Sequence, residues 1–392
     1  MRLLPKGVAP EARLLLIGRA LRAFCDGFVA ILLPAYLLAL GSGKWEVGVV
    51  STATLLGSAL LTLALGHWGH RLDPRRLLRA AAWLMFATGL SLAALSDFWP
   101  LLLVAFLGTI NPSAGDVSVF LPLEHARLSA TAQGDARTTL FARYTFIGAF
   151  CAALGALATG LPDFLTNWGL DRLMALRVMF VGYGLIGSVV FLIYRSLPAP
   201  GALGAATRPA PLGPSKPTVI KLAALFSLDA FAGGLVLNTL MALWLFERFG
   251  LSLAAAGTFF FWAGLFTAVS QLAAPAVARR IGLVNTMVFT HIPANLALLL
   301  AALAPSLDWA LALLLIRALL SQMDVPTRAA FVMAVVTPPE RSAAASFTAV
   351  PRSLASAASP ALGGALFAAG WLAAPLVASG LLKIGYDFAV WH

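Results

Sequence analysis

The chain has 392 residues, of which 60% are hydrophobic and 11% charged, and its formal net charge is +11. A soluble protein would carry about 25% charged residues, so the composition excludes an ordinary water-soluble fold. The basic excess is better explained by Lys and Arg in the cytoplasmic loops of a membrane protein than by nucleic-acid binding, and we predict no nucleic-acid partner.

Apolar stretches recur along the chain, each of roughly 20 residues or more, which is the length a helix needs to cross a ~30 Å hydrocarbon core. A membrane β-barrel would instead show alternating segments of ~10 residues. The sequence therefore predicts an all-α protein of the lipid bilayer with twelve transmembrane helices. In chain order the predicted spans are 14–40, 46–69, 77–97, 99–123, 138–161, 173–195, 220–247, 252–278, 283–304, 308–335, 343–368 and 371–390.

Residues 196–219 are rich in Pro, Gly and Ala without an amphipathic pattern, which is typical of a flexible linker. We therefore predict a six-helix half at 1–195, a cytoplasmic linker at 196–219 and a second six-helix half at 220–392. Most Lys and Arg residues near the loops, Lys383 counted among them, fall on one side of this layout. The positive-inside rule then places both termini in the cytoplasm and the protein in the cytoplasmic (inner) membrane.

The two predicted halves align at a constant offset of 209 residues. At this offset Gly48 matches Gly257, and the alignment continues far along both halves. The later matches are Arg143 with Arg352, Gly155 with Gly364 and, with a slip of one residue, Asp116 with Asp324. A shared offset over such a distance indicates an internal repeat, which is a common way of building transporters.

The loop after the second span reads GHWGHRLDPRRLL from Gly66. It resembles the signature loop of the major facilitator superfamily, G-x-L-A-D-R-x-G-R-R. Gly66, Arg71 and Arg75 fit that pattern, Arg76 lies one place beyond it, and His70 stands where the family has Asp. The resemblance implies two six-helix halves around a central cavity that the first, fourth, seventh and tenth helices line.

Charged side chains inside a bilayer cost ~2.5–3.5 kcal/mol each, so they are expected to face a partner or a cavity. Arg19, Arg22 and Asp26 share one helical face, and a similar stripe recurs in span ten. The predicted intramembrane charges are Arg19, Arg22, Arg143, Arg177, Arg317, Arg328, Arg352, Asp26, Asp116, Asp229 and Asp324, with Glu124 at a cytoplasmic edge. The resemblance places Asp26 and Asp229 beside the transport path as candidate proton carriers, with Arg19, Arg22 and Arg317 in the same cavity. The alternative is that Asp26 only neutralises Arg22.

A cytoplasmic gate is predicted from a repeated pair of charges. Asp116 and Arg143 lie roughly two turns from the loop that joins spans four and five, one on each side. Asp324 and Arg352 repeat this arrangement in the second half, with Arg328 nearby. The alternative is a pair of static ion pairs, which would contribute little net energy.

These observations favour a secondary active transporter that moves a small organic solute by alternating access, coupled to protons or another ion. The chain has no phosphate-binding G-x-x-x-x-G-K-[ST] loop, so we do not expect it to use ATP. Gly148, Gly155 and Gly160 in span five allow close helix packing and do not indicate a transport direction. Export is a possible direction of transport. We predict a functional monomer with no cofactor and no metal site.

Two alternatives remain open at this point. The predicted intramembrane arginines outnumber the aspartates, and guanidinium groups bind carboxylate or phosphate well, which favours an organic-anion symporter or exchanger. The other alternative is a non-transporting membrane receptor or scaffold. An enzyme is disfavoured because the sequence shows neither a metal-ligand cluster nor a nucleophile–base motif. His291 and Asn295 form a polar break in span nine that is explained more simply by packing than by function.

Overall fold

The computed structural model describes residues 8–68, 72–113, 118–132, 134–198 and 212–392, which fold into helices with no strand among them. Two short 3-10 turns, Ala158–Gly160 and Pro338–Glu340, accompany the α-helices. The helices are α1 (Ala12–Ala39), α2 (Lys44–Trp68), α3 (Pro74–Ala94), α4 (Phe98–Leu107), α5 (Phe120–Thr131), α6 (Gly134–Leu157), α7 (Leu161–Asn167), α8 (Arg172–Arg195), α9 (Lys216–Gly234), α10 (Asn238–Phe249), α11 (Leu253–Ile281), α12 (Leu283–Ala302), α13 (Leu307–Leu320), α14 (Asp324–Val335), α15 (Arg341–Ala368) and α16 (Ala374–Trp391).

Each predicted span overlaps one α-helix or a pair of α-helices, and the fourth span ends four residues into α5. Nine segments of the described chain are long and apolar enough to cross a bilayer by length and composition. Three predicted spans are interrupted: the fourth consists of α4 and α5, the seventh of α9 and α10, and the tenth of α13 and α14. The last helix of the first half is α8, and α9 begins at Lys216, inside the predicted linker.

The helix breaks follow from local sequence. Between α4 and α5 lies Asn111-Pro112, and the Asn111 carboxamide accepts hydrogen bonds from the backbone and hydroxyl of Ser113, at 3.1 Å and 2.8 Å. Proline cannot donate the helical hydrogen bond, and a side chain that bonds nearby backbone groups competes with the helix. Asn111 is only 1% exposed, which fits the rule that irregular backbone at membrane depth lies within protein or beside a cavity.

The surface of the bundle is apolar where it would meet lipid. Large hydrophobic side chains such as Leu192, Leu272 and Leu303 are more than half exposed, while small residues and aromatic rings fill the interior. A soluble protein would not leave so much apolar surface in water. The exposed side chains therefore face lipid, and the chain is an integral membrane protein.

The bundle has two ends that differ in charge. We call one the basic end, where the connections at 72–73, 196–198 and 336–340 lie, and the other the opposite end, with the turns at 40–43 and 250–252. Gly41 and Gly250, which the predicted 209-residue offset relates, both have positive φ, 85° and 63°, which favours glycine in these turns.

A tether at the basic end holds the start of α9 against the start of α15. The Glu340 carboxylate accepts hydrogen bonds from the backbone of Gly213 and of Ser215, the latter at 3.2 Å, and from the Thr337 hydroxyl at 3.0 Å. Hydrogen bonding from Ser215 foremost, and from Gly213 and Thr337, holds the pKa of Glu340 below its usual range. The tether fixes where the second set of helices begins.

The two predicted halves meet from the middle of the bundle to the opposite end. A Cβ at Gly48 of α2 would lie 2.5 Å from the Pro360 carbonyl and 2.8 Å from the Cα of Gly364 on α15. Gly257 of α11 makes the equivalent close approach to the Ala156 carbonyl at the end of α6. The 209-residue offset relates Gly48 to Gly257, and it relates Gly364 to the residue next to Ala156.

Polar contacts reinforce the same junction. The Lys44 ammonium and the Glu247 carboxylate form an ion pair at 2.6 Å between α2 and α10. Thr239, at the start of α10, donates its hydroxyl to the carbonyl of Ala30 at 2.8 Å and lies 2.9 Å from that of Pro112. The junction is therefore closed by packing, one exposed ion pair and buried hydrogen bonds.

Candidate transport cavity

A cavity of about 740 Å³ lies between the two sets of helices. Its walls on α2, α11 and α15 use residues such as Leu63, Gln271 and Arg352, which lie on the basic side of the Gly48–Gly364 contact. The cavity therefore extends from the middle of the bundle toward the basic end. Its charged and titratable lining residues are Arg19, Asp26, Asp229, His291, Arg317, Asp324, Arg328, Arg352 and Lys383.

Asp229 of α9 is held by two cations. Its Oδ2 accepts a hydrogen bond from the Arg328 Nη1 at 3.0 Å, and its Oδ1 accepts one from the Lys383 Nζ at 2.5 Å. Arg328 also bonds Asp324, one helical turn away on α14, at 3.1 Å. All four side chains are buried. This network joins α9, α14 and α16 and satisfies charges that would be costly alone in the membrane.

His291 of α12 extends the network to a second carboxylate. Its Nδ1 lies 2.8 Å from Asp387 Oδ1, and its Nε2 lies 4.0 Å from Asp229 Oδ1. The other Asp387 oxygen accepts a hydrogen bond from Asn295 at 3.4 Å. Asp387 is 1% exposed, whereas His291 reaches the cavity wall. His291 and Asn295, the polar residues noted in span nine, thus belong to a buried charged network, and α12 continues unbroken through Pro293.

Sequence reasoning misplaced one member of this network and missed another. Lys383 counted toward the cytoplasmic loops, but it lies inside α16 and bonds Asp229. Asp387, four residues later on the same helix, was not singled out. A Lys and an Asp at i and i+4 in the last apolar span were a usable signal, because such charges inside a membrane demand a partner.

Arg317 and Arg352 face the cavity from α13 and α15 without an ion pair. Neither side chain has a carboxylate within 4.0 Å or a hydrogen-bond partner among the residues that the structure describes. Asp229 and Asp324 act on them only at longer range. Two guanidinium groups with unused donors therefore line a water-accessible space.

A separate buried cluster holds the first set of helices together. Glu124 of α5 is fully buried and bonds Arg22 of α1, Tyr144 of α6 and Tyr194 of α8. The Arg22 guanidinium also stacks 4.0 Å from the ring centroid of Phe120. Glu124 was expected at a cytoplasmic edge and Arg22 beside the cavity. The structure instead pairs these two residues away from the cavity wall.

Asp26 and Arg19 lie on the wall of this cavity. Both are buried residues of α1 that line the cavity, and the Arg19 guanidinium lies 5.2 Å from the Tyr144 ring centroid. Gly148 of α6 lies against Arg19, and Gly155 lies against the backbone of Phe24. These glycines allow α6 to approach α1, which gives them a packing role that is independent of transport direction.

The structure describes four of the five predicted gate residues, and these four lie on three helices. Asp116 lies outside the described residues, and Arg143 is a half-buried residue of α6. Asp324 bonds Arg328, and Arg352 faces the cavity without a bonded carboxylate. The expected Asp324–Arg352 pair is therefore replaced by a pair within α14.

The signature loop is described in part. Gly66 falls in α2, and Arg71 lies outside the described residues. Arg75 donates to the Arg195 carbonyl at 2.7 Å and so ties α3 to the end of α8, while Arg76 is exposed. Arg177, expected within the membrane, reaches Ser96 Oγ at 2.6 Å at the opposite end.

Comparison with known proteins gives consistent matches along most of the chain. The family model of the Major Facilitator Superfamily matches residues 15–323. The uncharacterized membrane protein YJR124C of Saccharomyces cerevisiae is 24% identical over 369 residues, covering 85% of this chain and 82% of that protein.

Solved structures of transporters share the fold of this chain. The nucleoside transporter NupG superposes with a TM-score of 0.76 at 15% identity and covers 98% of each chain. A bacterial homologue of the human lysosomal transporter Spinster, in an inward-facing and occupied conformation, gives a TM-score of 0.73 at 16% identity, covering 97% of this chain and 95% of that one.

Proposed function

Because the chain belongs to the Major Facilitator Superfamily, we propose that it is a secondary transporter that carries small organic anions by alternating access. That it is a membrane transporter and not an enzyme follows from the family and from the transporter structures that share its fold. The substrate class is our inference from the cavity.

One observation carries the anion assignment: Arg317 and Arg352 line the cavity with no ion-pair partner among the described residues. Asp229 and Asp324, in contrast, are already bonded by Arg328 or Lys383. An unpaired guanidinium beside a low-dielectric wall attracts a carboxylate or phosphate strongly and offers it two parallel hydrogen bonds. A cationic substrate would meet two like charges there.

The transport cycle that we propose begins from the state described above. The halves touch at the opposite end, and the cavity extends toward the basic end, which by the positive-inside rule is the cytoplasmic side of the inner membrane. In this proposal the molecule is an inward-facing monomer of twelve spans in two repeats, with both termini in the cytoplasm. The related contacts at Gly48 and Gly257 support the repeat.

The gate at the basic end also remains a proposal. Asp324 and Arg328 line the cavity as an ion pair, and Arg352 would close over the substrate from α15. The pairing of Arg143 with Asp116 remains a prediction from the sequence. In the occluded state Arg352 would exchange its water contacts for the bound anion. Charges that change partners between states make such a gate reversible.

The test is a thermal-shift screen of the purified protein with acetate, succinate and citrate against choline and tetraethylammonium. We expect at least one of the anions to raise the unfolding temperature. Arg317→Gln or Arg352→Gln should weaken that anion's binding about 10- to 100-fold, because each removes a charge-assisted contact of ~1.5–3 kcal/mol.

The matched control is Arg280→Gln, which removes an exposed arginine from the last turn of α11. This variant should bind the anion as the unsubstituted protein does. Stabilisation by the cations alone, or equal anion binding by the Arg317→Gln and Arg280→Gln variants, would contradict the anion assignment.

A further inference from the structure

At the cavity wall, His291 lies between two acidic groups, one of which it bonds. Its Nδ1 lies 2.8 Å from Asp387, so in the neutral ring this nitrogen is expected to carry the proton and donate it. Nε2 then lies 4.0 Å from Asp229 Oδ1, which is a charge contact and too long for a hydrogen bond. A positive charge on the imidazole would therefore have a carboxylate on each side.

The charges of the bonded network point the same way. Arg328 and Lys383 are its fixed cations, and they face three carboxylates, those of Asp229, Asp324 and Asp387. The bonded groups alone are one positive charge short when His291 is neutral, and Arg317 and Arg352 in the same cavity offset this shortfall at longer range. In a low-dielectric interior such an imbalance is costly.

Groups on every neighbouring helix act on this histidine. Within the network α9 contributes Asp229, α14 contributes Asp324 and Arg328, and α16 contributes Lys383 and Asp387. The Tyr386 ring of α16 lies 6.2 Å from the imidazole, and Asn295 lies one turn away on α12. Arg317 and Arg352 lie farther along the same cavity, and α11 brings Thr267 and Gln271 to its wall.

We propose that the His291–Asp387 pair is the protonation site that couples transport to protons. A proton from cavity water binds His291 Nε2, Asp387 stabilises the resulting imidazolium through Nδ1, and no other bond changes. Asp229 is less suited to this task than the sequence predicted, because both of its oxygens already accept hydrogen bonds from Arg328 and Lys383. In this proposal the negative charge of Asp229, 4.0 Å away, attracts and orients the proton on His291 Nε2.

The proposal rests on the anion function in one respect, which is the direction of coupling. An anion bound at Arg317 and Arg352 removes the positive field that opposes protonation of His291 in the same cavity. By reciprocity, protonation of His291 strengthens anion binding. The anion's dissociation constant should therefore rise by up to tenfold per pH unit above the midpoint of the His291 titration.

The test is a pH titration of ¹⁵N-histidine-labelled protein in lipid bilayers by solid-state NMR, with the His291 signals assigned by their loss in His291→Gln. We expect both ring nitrogens to titrate reversibly between about pH 5 and 8. Asp387→Asn should move the midpoint to lower pH, because the imidazolium loses its carboxylate. Asp387→Glu keeps a carboxylate at this position and should largely retain the midpoint. This variant is measured in place of Asp387→Asn if the Asn variant does not fold.

Asp308→Asn, at an exposed acid at the start of α13, is the control and should leave the titration unchanged. A His291 that stays in one protonation state over this range, or a midpoint that Asp387→Asn does not move, would overturn the proposal. Adding succinate or citrate should raise the midpoint, and Arg317→Gln should abolish that shift. If His291 titrates but neither anion shifts its midpoint, the anion function is overturned and the protonation site is supported. If the protein binds an anion but His291 does not titrate, the anion function is supported and the protonation site is overturned.

Discussion

Single buried charges in this protein are stabilised by partners on distant parts of the chain. Glu124 shows this most clearly, because one carboxylate receives Arg22, Tyr144 and Tyr194 from three other helices. Its removal would leave the Arg22 guanidinium buried and unpaired, and an uncompensated buried charge is costly. Glu124 therefore holds α1, α5, α6 and α8 in one rigid unit.

We expect Glu124→Ala to destabilise the protein by about 3–5 kcal/mol, the range for breaking one side of a buried ion pair. Glu124→Gln should cost less, because the amide retains an acceptor for Arg22. The measurement is the unfolding temperature of the purified variants in detergent at one fixed protein concentration.

Asp97→Ala provides the matched control for this loss of an acid. Asp97 is exposed, and its side chain makes no capping hydrogen bond to α4. Its substitution should change stability by no more than about 0.5 kcal/mol. Equal unfolding temperatures for the Glu124→Ala and Asp97→Ala variants would show that the Glu124 cluster is not a structural tie.

The candidate site could be predicted from the sequence only as a set of charges, without their partners. Asp26, Asp229 and Arg317 line the cavity because the sequence places them inside apolar spans, where they cannot face lipid. The pairing of Arg22 with Glu124 joins residues far apart in the sequence, and helical periodicity carries no information about such pairs. Lys383 was misread because it lies near the chain terminus, where loop charges are common.

The positions of the helices could largely be predicted from the sequence, whereas the breaks within spans seven and ten could not. Run length predicts where a helix can cross the bilayer, since about 20 apolar residues are needed whatever their packing. The two breaks lie at 235–237, which is Leu-Val-Leu, and at 321–323, which is Ser-Gln-Met, and neither contains a proline or a glycine. Only tertiary packing decides whether such a segment stays helical.

Helix contacts at the opposite end depend on residues without side chains. We expect Gly48→Val to separate α2 from α15, because even its Cβ would lie 2.5 Å from the Pro360 carbonyl. Overpacking of this kind costs about 1–3 kcal/mol, enough to shift an equilibrium between two states. The measurement is the distance between spin labels at the exposed positions Trp45 and Trp371, which should lengthen.

Gly182→Val is the control, because a Cβ at Gly182 of α8 would meet no heavy atom within 4 Å. The same pair of labels should report an unchanged distance in this variant. If the Gly48→Val variant also leaves the label distance unchanged, the α2–α15 contact does not close this end of the molecule.

At the opposite end of the molecule, the contacts between the two predicted halves are weak enough for this end to open. The Lys44–Glu247 ion pair is partly exposed, and such pairs contribute about 0.2–1 kcal/mol. The remaining contacts are close helix packing around glycines and the hydrogen bonds of Thr239. A junction of this kind can separate and re-form, as alternating access requires.

The charged residues of the cavity form two groups that differ in their bonding. Arg317 and Arg352 offer unpaired guanidinium groups to an anion, while the network of Asp229, Lys383 and His291 is internally bonded. A receptor or scaffold could bind an anion in the same place, so binding alone does not separate these functions. Net movement of the anion does.

Counterflow in proteoliposomes tests whether the protein moves an anion across a bilayer. Vesicles loaded with the unlabelled anion chosen by the thermal-shift screen receive the same anion in radiolabelled form outside. We predict uptake well above that of protein-free vesicles, a reduction of about tenfold or more with Arg317→Gln, and normal uptake with Arg280→Gln. Uptake equal to that of protein-free vesicles, with anion binding intact, would contradict transport, and equal uptake by the two variants would contradict the role of Arg317.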